Sequence, residues 1–125
     1  HPRTAKMLSQ FQIKVPPRIL LVEPVGYLDM LRLIQNCSLV LTDSGGLQKE
    51  AYFLGRPCIT LRDETEWTEL LDIGANTLVG TDSIRIAEAL EAMKRLDGVQ
   101  SGVYGEGHAA EAIAKDLLMR LKGEK

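Results

Sequence analysis

The sequence has few of the residues that mark a specialised class of protein. Its only cysteines, Cys37 and Cys58, have no CxxC spacing and no histidine close to them in sequence, which favours buried reduced thiols over a metal site. No apolar run approaches the roughly 18 residues that a membrane span needs, and the first residues, HPRTAK, do not resemble a signal peptide. We therefore expect a cytoplasmic protein without a membrane-embedded segment.

The sequence also lacks an excess of one charge. Its 15 Lys and Arg and 17 Asp and Glu give a formal net charge of -2. Both signs are spread through the chain, so no field of one sign favours nucleic acid or an anionic membrane as a partner. The two histidines, His1 and His108, are isolated in sequence and share no metal-ligand spacing. We expect no bound metal and no cofactor.

What the sequence contains is a regular alternation of predicted strands and helices. Continuous apolar strands separated by helices are typical of a parallel sheet covered on both faces. The predicted strands are 39–42, 58–61 and 77–79, after an extended run at 19–22, and the predicted helices are 4–11, 28–34, 47–54, 63–73, 83–96 and about 109–121. At 125 residues the chain can form one domain, which we predict to be an open, doubly wound, Rossmann-like α/β domain.

Several residues predict where these helices begin and end. Thr4 and Ser83 are the expected N-caps of two helices, and Asp63 with Glu66 has the spacing of a capping box. Gly55 follows the helix predicted over 47–54 and is a typical C′ residue.

One stretch, LVLTDSGGLQKEAYFLG at 39–55, carries recognisable chemistry. An apolar strand runs there into Asp-Ser-Gly-Gly and then directly into a helix. In open α/β sheets, ligands bind where strands end and the first amides of the next helix are unpaired. Gly45 and Gly46 would let an anion approach those amides, and the Ser44 hydroxyl could donate to a phosphate oxygen. The stretch suits a diphosphate, although such a turn is as often only a compact connection, and Lys49 is expected on the solvated face.

Glu50 and Arg62 extend this candidate site. Glu50 lies four residues after Gly46, one helical turn further along and about 6 Å away along the axis. Because an ionised carboxylate only accepts hydrogen bonds, it suits the two vicinal hydroxyls of a ribose. Arg62 ends a strand at the same sheet edge, where it could clamp a phosphate or pair equally well with Asp63 or Glu66. The spacing predicts a nucleotide laid along the start of the helix.

Taken together and in order, six segments closely resemble the carboxy-terminal part of the non-hydrolysing UDP-N-acetylglucosamine 2-epimerases. They are HPRT at 1–4, EPVGYLDML at 23–31, LTDSGGLQKEA at 41–51, GRPCITLRDETEWTE at 55–69, LVGTD at 78–82 and YGEGHAAE at 104–111. The resemblance implies a GT-B-type fold of two Rossmann-like domains facing across a cleft, with UDP held mainly by the second. Residues 1–125 would then be part of that UDP-binding domain, with the last helix packed against an amino-terminal domain.

The resemblance also implies roles for single residues at the diphosphate and ribose. Ser44 and Gly45 match the positions that bind the diphosphate, and Glu50 matches the one that binds the ribose. Arg62 matches the arginine of the family's RD-T-E segment. Trp67 stands where that segment more commonly has an arginine, so a phosphate contact from this position is not implied here.

Two further positions match the family outside this stretch. Met30 falls where the family often carries an aromatic residue beside the uracil, and His1 matches a substrate-proximal histidine. In similar enzymes the carboxylates that transfer protons lie in the amino-terminal domain or just ahead of His1, so we assign no catalytic acid or base within this sequence.

The activity implied by the resemblance is interconversion of UDP-GlcNAc and UDP-ManNAc. UDP is eliminated anti from the sugar, leaving a glycal, and then adds back while a proton reaches the other face of C2. The resemblance further implies that strands central to the sheet precede HPRT, and it makes a homo-oligomer, a dimer, the expected assembly. Two alternatives remain open, namely a UDP-sugar-dependent GT-B glycosyltransferase and a non-catalytic nucleotide-binding module.

Overall fold

The computed structural model describes residues 1–93, 98–99, 102–121 and 123. The chain divides into two compact units, His1–Leu33 and Ile34–Lys125. Helix α2, Tyr27–Asn36, begins in the first unit and ends in the second.

The first unit contains helix α1, Pro2–Gln10. The His1 ring caps this helix because its Nδ1 accepts a hydrogen bond from the Arg3 amide at 3.3 Å, and proline suits the first helical position. The prediction that Thr4 is the N-cap was therefore wrong. The run at 19–22, predicted to be extended, forms no strand among the described residues, and its side chains are between 56% and 84% exposed.

The second unit is built on a parallel sheet of three described strands. These are β1, Val40–Thr42, β2, Cys58–Thr60, and β3, Asn76–Leu78, in the order β1-β2-β3. Val40 is paired with Cys58, and Cys58 with Asn76. The three predicted strands are confirmed to within one residue at their ends. Because all three run in the same direction, their carboxyl ends meet at one edge of the sheet.

Helices cover both faces of this sheet, as predicted. Ile59 packs with Val79, Ala89 and Met93 in one core cluster, which includes residues of helix α5, Ser83–Met93. The neighbouring residue Thr60 faces the other way, since successive side chains of a strand alternate. On that other face lie helices α3, Gly45–Phe53, and α4, Thr68–Asp72, whose core cluster is Tyr52, Leu70 and Ala75.

Two predicted helix starts in this unit are wrong. The helix predicted over 63–73 is only the short α4, because residues 63–67 form an irregular loop whose Thr65 hydroxyl bonds to Gln48 at 2.7 Å. Helix α5 is capped by Asp82, not Ser83, because an Asp82 carboxylate oxygen accepts hydrogen bonds from two first-turn amides. The last residues of the helix predicted over 83–96 lie outside the described residues.

The helix ends and the last helix agree better with expectation. Gly55 has a φ of 68° and Gly74 a φ of 69°, the left-handed conformation that favours glycine just after a helix. The predicted carboxy-terminal helix is confirmed as α6, Ala109–Leu121. Its large apolar side chains are mostly exposed, and its packing against an amino-terminal domain stays a prediction.

Candidate functional site

Two segments lie side by side where the strands of the second unit end. Residues 43–46 follow β1, and residues 61–67 follow β2. The Leu61 amide donates to the Thr42 carbonyl at 2.8 Å, and the Gly80 amide, after β3, donates to the Arg62 carbonyl at 3.1 Å. These bonds continue the sheet pairing beyond the strands, so the predicted diphosphate turn and Arg62 share one edge.

The Ser44 turn leaves its polar groups exposed. Ser44 is the N-cap of α3, with φ −84° and ψ 127°, and its side chain makes no capping hydrogen bond. Its amide donates to the Thr42 hydroxyl oxygen at 3.0 Å, which holds the turn. Ser44 and Gly46 are exposed and Gly45 is half-buried. The serine hydroxyl and the first-turn amides of α3 are therefore available to an anion.

Arg62 stands next to this turn but is already paired. Its guanidinium is 3.2 Å from the Glu66 carboxylate. The sequence left open whether Arg62 clamps a phosphate or pairs with a neighbouring carboxylate, and the structure shows the ion pair with Glu66. A Cβ on Gly45 would collide with the Glu66 carboxylate and lie 3.7 Å from the Arg62 guanidinium. Exposed ion pairs contribute only about 0–1 kcal/mol. An anion at Gly45 could therefore draw Arg62 away from Glu66 at low cost.

Glu50 lies one turn further along α3. It is half-buried, and among the described residues its carboxylate has no hydrogen-bond or ion-pair partner. Both carboxylate oxygens are therefore free to accept hydrogen bonds from a ligand.

Trp67 and Lys49 take positions that the sequence did not predict. The Trp67 indole nitrogen donates to the Gly45 carbonyl at 2.9 Å, so the side chain braces the turn from behind. The Lys49 ammonium lies 4.1 Å from the ring centroids of both Trp67 and Tyr104. Lys49 is half-buried, not on a fully solvated face, and the two rings attract its charge through cation–π interactions.

A buried cluster of polar side chains, which the sequence did not predict, lies behind the turn. Gln48 and Thr60 are fully buried and Asn76 is 2% exposed. Gln48 accepts hydrogen bonds from Thr65 at 2.7 Å and from Asn76 at 2.9 Å. One signal for this cluster was present in the sequence: Thr60 is a polar residue within the otherwise apolar strand β2. Because buried polar groups require hydrogen-bond partners, it indicated that other polar side chains lie nearby.

Among the described residues, neither the thiols nor the charged side chains form a second candidate site. Both cysteines are free, as expected, but only Cys58 is buried; Cys37, also predicted to be buried, is half-buried. Burial raises the pKa of the Cys58 thiol to about 11, which keeps it unreactive. Across the described residues, no three His, Cys, Asp or Glu side chains lie close enough together to hold a metal ion. Within the same residues, no helix has both the length and the apolar character needed to cross a bilayer.

Comparison with known proteins decides the family. The profile of the UDP-N-acetylglucosamine 2-epimerases matches residues 1–118. The chain belongs to the UDP-N-acetylglucosamine 2-epimerase family. The resemblance found in the sequence is thereby confirmed.

Relatives within the epimerase family are much longer than this chain. The UDP-2,3-diacetamido-2,3-dideoxy-D-glucuronate 2-epimerase of Pseudomonas aeruginosa is 45% identical over 118 residues, which cover 94% of this chain and 33% of that protein. The UDP-N-acetylglucosamine 2-epimerase of Methanocaldococcus jannaschii is 44% identical over 121 residues, which cover 94% of this chain and 33% of that protein. The chain therefore spans about a third of the length of these curated relatives.

Solved epimerase structures share the fold. The UDP-GlcNAc 2-epimerase of M. jannaschii matches with a TM-score of 0.84 at 43% identity, over 94% of this chain and 34% of that one. A second structure of that protein, in complex with UDP-GlcNAc and UDP, matches with a TM-score of 0.82 at the same identity and coverage. The predicted α/β fold, as part of a GT-B-type epimerase, is confirmed.

The structure groups the predicted site residues of the second unit, and each unit is described by itself. Ser44, Gly45, Gly46 and Arg62 meet at one edge of the sheet in the second unit, and Glu50 follows on α3. The other two residues, His1 and Met30, belong to the first unit. Within that unit the exposed His1 lines a cavity of about 370 Å³. The roles of both residues stay predictions.

Proposed function

We propose that the protein containing this chain is a UDP-N-acetylglucosamine 2-epimerase, and that this chain supplies its UDP-binding part. The observation that carries the proposal is the uncapped start of α3, with the exposed Ser44 hydroxyl and with Arg62 beside Gly45. The family membership of the chain and the M. jannaschii complex with UDP-GlcNAc and UDP support UDP as the ligand.

The diphosphate would bind at the start of α3. The Ser44 hydroxyl and the amides of Gly45 and Gly46 donate to its oxygens, and each such bond to a charged group contributes about 1.5–3 kcal/mol. The helix dipole adds about 0.3–1 kcal/mol. Arg62 leaves Glu66 and pairs with a phosphate oxygen. The fixed donors among them, the Ser44 hydroxyl and the two amides, would also stabilise the charge that grows on UDP as its bond to the sugar breaks.

The ribose would lie along α3 within reach of Glu50, whose unpartnered carboxylate accepts hydrogen bonds from the two vicinal hydroxyls. Met30 is proposed beside the uracil and His1 near the sugar. No residue of this chain is assigned as the acid or base. We also propose a cytoplasmic dimer, on the grounds of sequence character and family resemblance.

Titration calorimetry with UDP on the full-length protein tests the ribose contact. Glu50→Ala should weaken UDP binding by about ten- to a hundredfold, the value of one hydrogen bond to a charged group. Glu88→Ala, on the exposed surface of α5, is the matched control and should bind UDP normally. The unaltered protein should bind 2′-deoxy-UDP more weakly than UDP, and Glu50→Ala should bind the two alike. Equal UDP affinity in Glu50→Ala and the unaltered protein would refute the assignment.

Product analysis tests the reaction. A 2-epimerase converts UDP-GlcNAc into UDP-ManNAc without an acceptor, whereas a GT-B glycosyltransferase consumes UDP-GlcNAc only when an acceptor is present. UDP binding with neither product would favour a non-catalytic nucleotide-binding module.

A second sugar deserves the same assay because the P. aeruginosa relative, at 45% identity, is named for a different one. Incubation with UDP-2,3-diacetamido-2,3-dideoxy-D-glucuronate compares the two substrates directly. In the proposed site, Ser44 and Glu50 contact the UDP part of the substrate, which both sugar nucleotides share. A Glu50→Ala defect of equal size with both is the expected result.

A further inference from the structure

The two arms of the proposed diphosphate site come from different parts of the chain. Ser44 and Gly45 lie at the start of α3, whereas Arg62 lies in the loop that follows β2. A diphosphate can be bound by both arms only if their spacing is fixed, because hydrogen bonds weaken steeply outside a narrow range of distance and angle. Some contact must therefore hold the loop against the helix start.

Gln48 makes one such contact, in addition to the hydrogen bond from the Trp67 indole to the Gly45 carbonyl. Its side-chain nitrogen donates to the Ser44 carbonyl at 3.3 Å. Its side-chain oxygen accepts from the Thr65 hydroxyl at 2.7 Å and from the Asn76 amide at 2.9 Å. One buried amide thus joins the turn, the loop and the start of β3.

A second layer of hydrogen bonds fixes the orientation of these partners. The Thr60 hydroxyl donates to the Asn76 side-chain oxygen at 2.8 Å, so the Asn76 nitrogen is left to face Gln48. The Thr65 hydroxyl oxygen accepts from the Trp67 amide at 3.2 Å while it donates to Gln48. Every member of the cluster therefore has a single arrangement that satisfies its neighbours, as a connected buried network requires.

We propose that Gln48 is a positioning residue of the UDP site. It does not touch the ligand. It acts through the Ser44 carbonyl and the Thr65 hydroxyl, and it keeps the Ser44–Gly46 turn and the 62–67 loop at the spacing that a diphosphate needs. The inference rests on the proposed function and adds a residue to it.

Affinities for UDP and uridine, measured on the full-length protein, separate positioning from support of the fold. Gln48→Met keeps the length of the side chain and removes all three hydrogen bonds. UDP should bind about tenfold more weakly, in line with the loss of alignment at one or two hydrogen bonds to phosphate. The affinity for uridine, which has no phosphate, should stay unchanged. Gln35→Met, on the exposed surface of α2, is the matched control and should change neither affinity.

Thr65 provides a second pair of variants in case Gln48→Met does not fold. Thr65→Val removes the hydroxyl at constant shape, and Thr65→Ser retains it. Thr65→Val should weaken UDP binding several-fold and leave uridine binding unchanged, whereas Thr65→Ser should bind UDP normally.

Three outcomes would count against the inference. A lowered melting temperature with unchanged UDP affinity would make Gln48 a purely structural residue, and so would an equal loss of UDP and uridine affinity. Equal UDP binding by Thr65→Val and Thr65→Ser would have the same meaning. Failure of the unaltered protein to bind UDP would instead overturn the proposed function itself.

Discussion

Helices α3 and α5 begin at the same edge of the same sheet, but their first turns are completed in different ways. At α5 the Asp82 carboxylate accepts hydrogen bonds from the amides of Ile84 at 2.8 Å and Arg85 at 3.1 Å. At α3 the corresponding residue is Ser44, whose side chain makes no capping bond. One helix start is closed by the protein's own anion, and the other is open.

The difference shows what an open helix start provides. At α5 the two backbone hydrogen bonds lower the pKa of Asp82 below its ordinary value, which means that this end of the helix favours the negative charge. At the start of α3 the N-cap side chain leaves the first-turn amides without such a bond, and the carboxylate beside Gly45, that of Glu66, is paired with Arg62. An anion from solution can therefore take at α3 the place that Asp82 takes at α5.

The largest expected effect comes from making α3 resemble α5. Ser44→Asp would place a carboxylate on the first-turn amides and in the path of the diphosphate. Aspartate is as good an N-cap as serine, so the fold should be kept. UDP affinity should fall by about a hundredfold or more, because the hydroxyl donor is lost and a like charge is added. Titration calorimetry and thermal melting measure the two properties.

The control makes the same chemical change at the closed helix. Ser83→Asp introduces a carboxylate at the start of α5, where Asp82 already occupies the amides, and should leave UDP binding unchanged. If Ser44→Asp bound UDP as tightly as the unaltered protein, the open start of α3 would not be the diphosphate site.

A smaller effect is expected from narrowing the open turn. Gly45→Ala adds a methyl group that collides with the Glu66 carboxylate, so the Arg62–Glu66 pair must move. We expect about a tenfold loss of UDP affinity, equivalent to one hydrogen bond to a charged group. Gly46→Ala is the comparison. Its methyl group meets no atom of the protein within 4 Å, so any loss of UDP affinity in this variant comes from the methyl group obstructing the ligand and not from movement of the loop. A weaker defect in Gly45→Ala than in Gly46→Ala would contradict a role for the loop.

The contrast between the helix starts also shows what the sequence can predict. The strands and the Gly55 helix end were predictable, because they depend on local apolar runs and on the left-handed conformation of glycine. The Ser-Gly-Gly turn was predictable from its place between an apolar strand and a helix. Asp63 and Ser83 were mistaken for caps by the same local reasoning. Asp82, one residue before Ser83, is the residue that caps α5. Which of two neighbouring residues caps a helix depends on backbone geometry, which local sequence patterns do not specify.

Residues that act through distant contacts were beyond prediction. Gln48 reads as an ordinary helix residue, and its burial depends on Thr65 and Asn76, which lie 17 and 28 residues away along the chain. Lys49 reads as a surface lysine, but its place between Trp67 and Tyr104 is set by tertiary packing. The solvent-exposed site residues can be predicted from local sequence patterns, whereas the buried residues that support them can be identified only from the folded structure.

A still smaller effect, of opposite sign, is expected at Glu66. Its carboxylate lies against Gly45 and pairs with Arg62. Glu66→Gln would free the guanidinium and remove a like charge, so UDP affinity should rise about two- to fivefold, the range of an exposed ion pair. Glu64→Gln, in the same loop, is the matched control. Weaker UDP binding in Glu66→Gln would mean that the pair orients Arg62 for the ligand.

The smallest effect is expected at the closed helix and should appear only in stability. Asp82→Asn keeps a capping side chain but removes the charge. Because the pKa of Asp82 is lowered in the folded state, its contribution to stability is present above the unfolded-state pKa and is lost as the pH falls through the folded-state pKa. Urea midpoints should therefore favour the unaltered protein at neutral pH, and the difference should disappear in acid. UDP affinity should be unchanged throughout, since α5 has no open amides to offer. A stability difference that grows as the pH falls would mean that the Asp82 charge is unfavourable where it lies, and the two helix starts would then not be distinguished by their attraction for an anion.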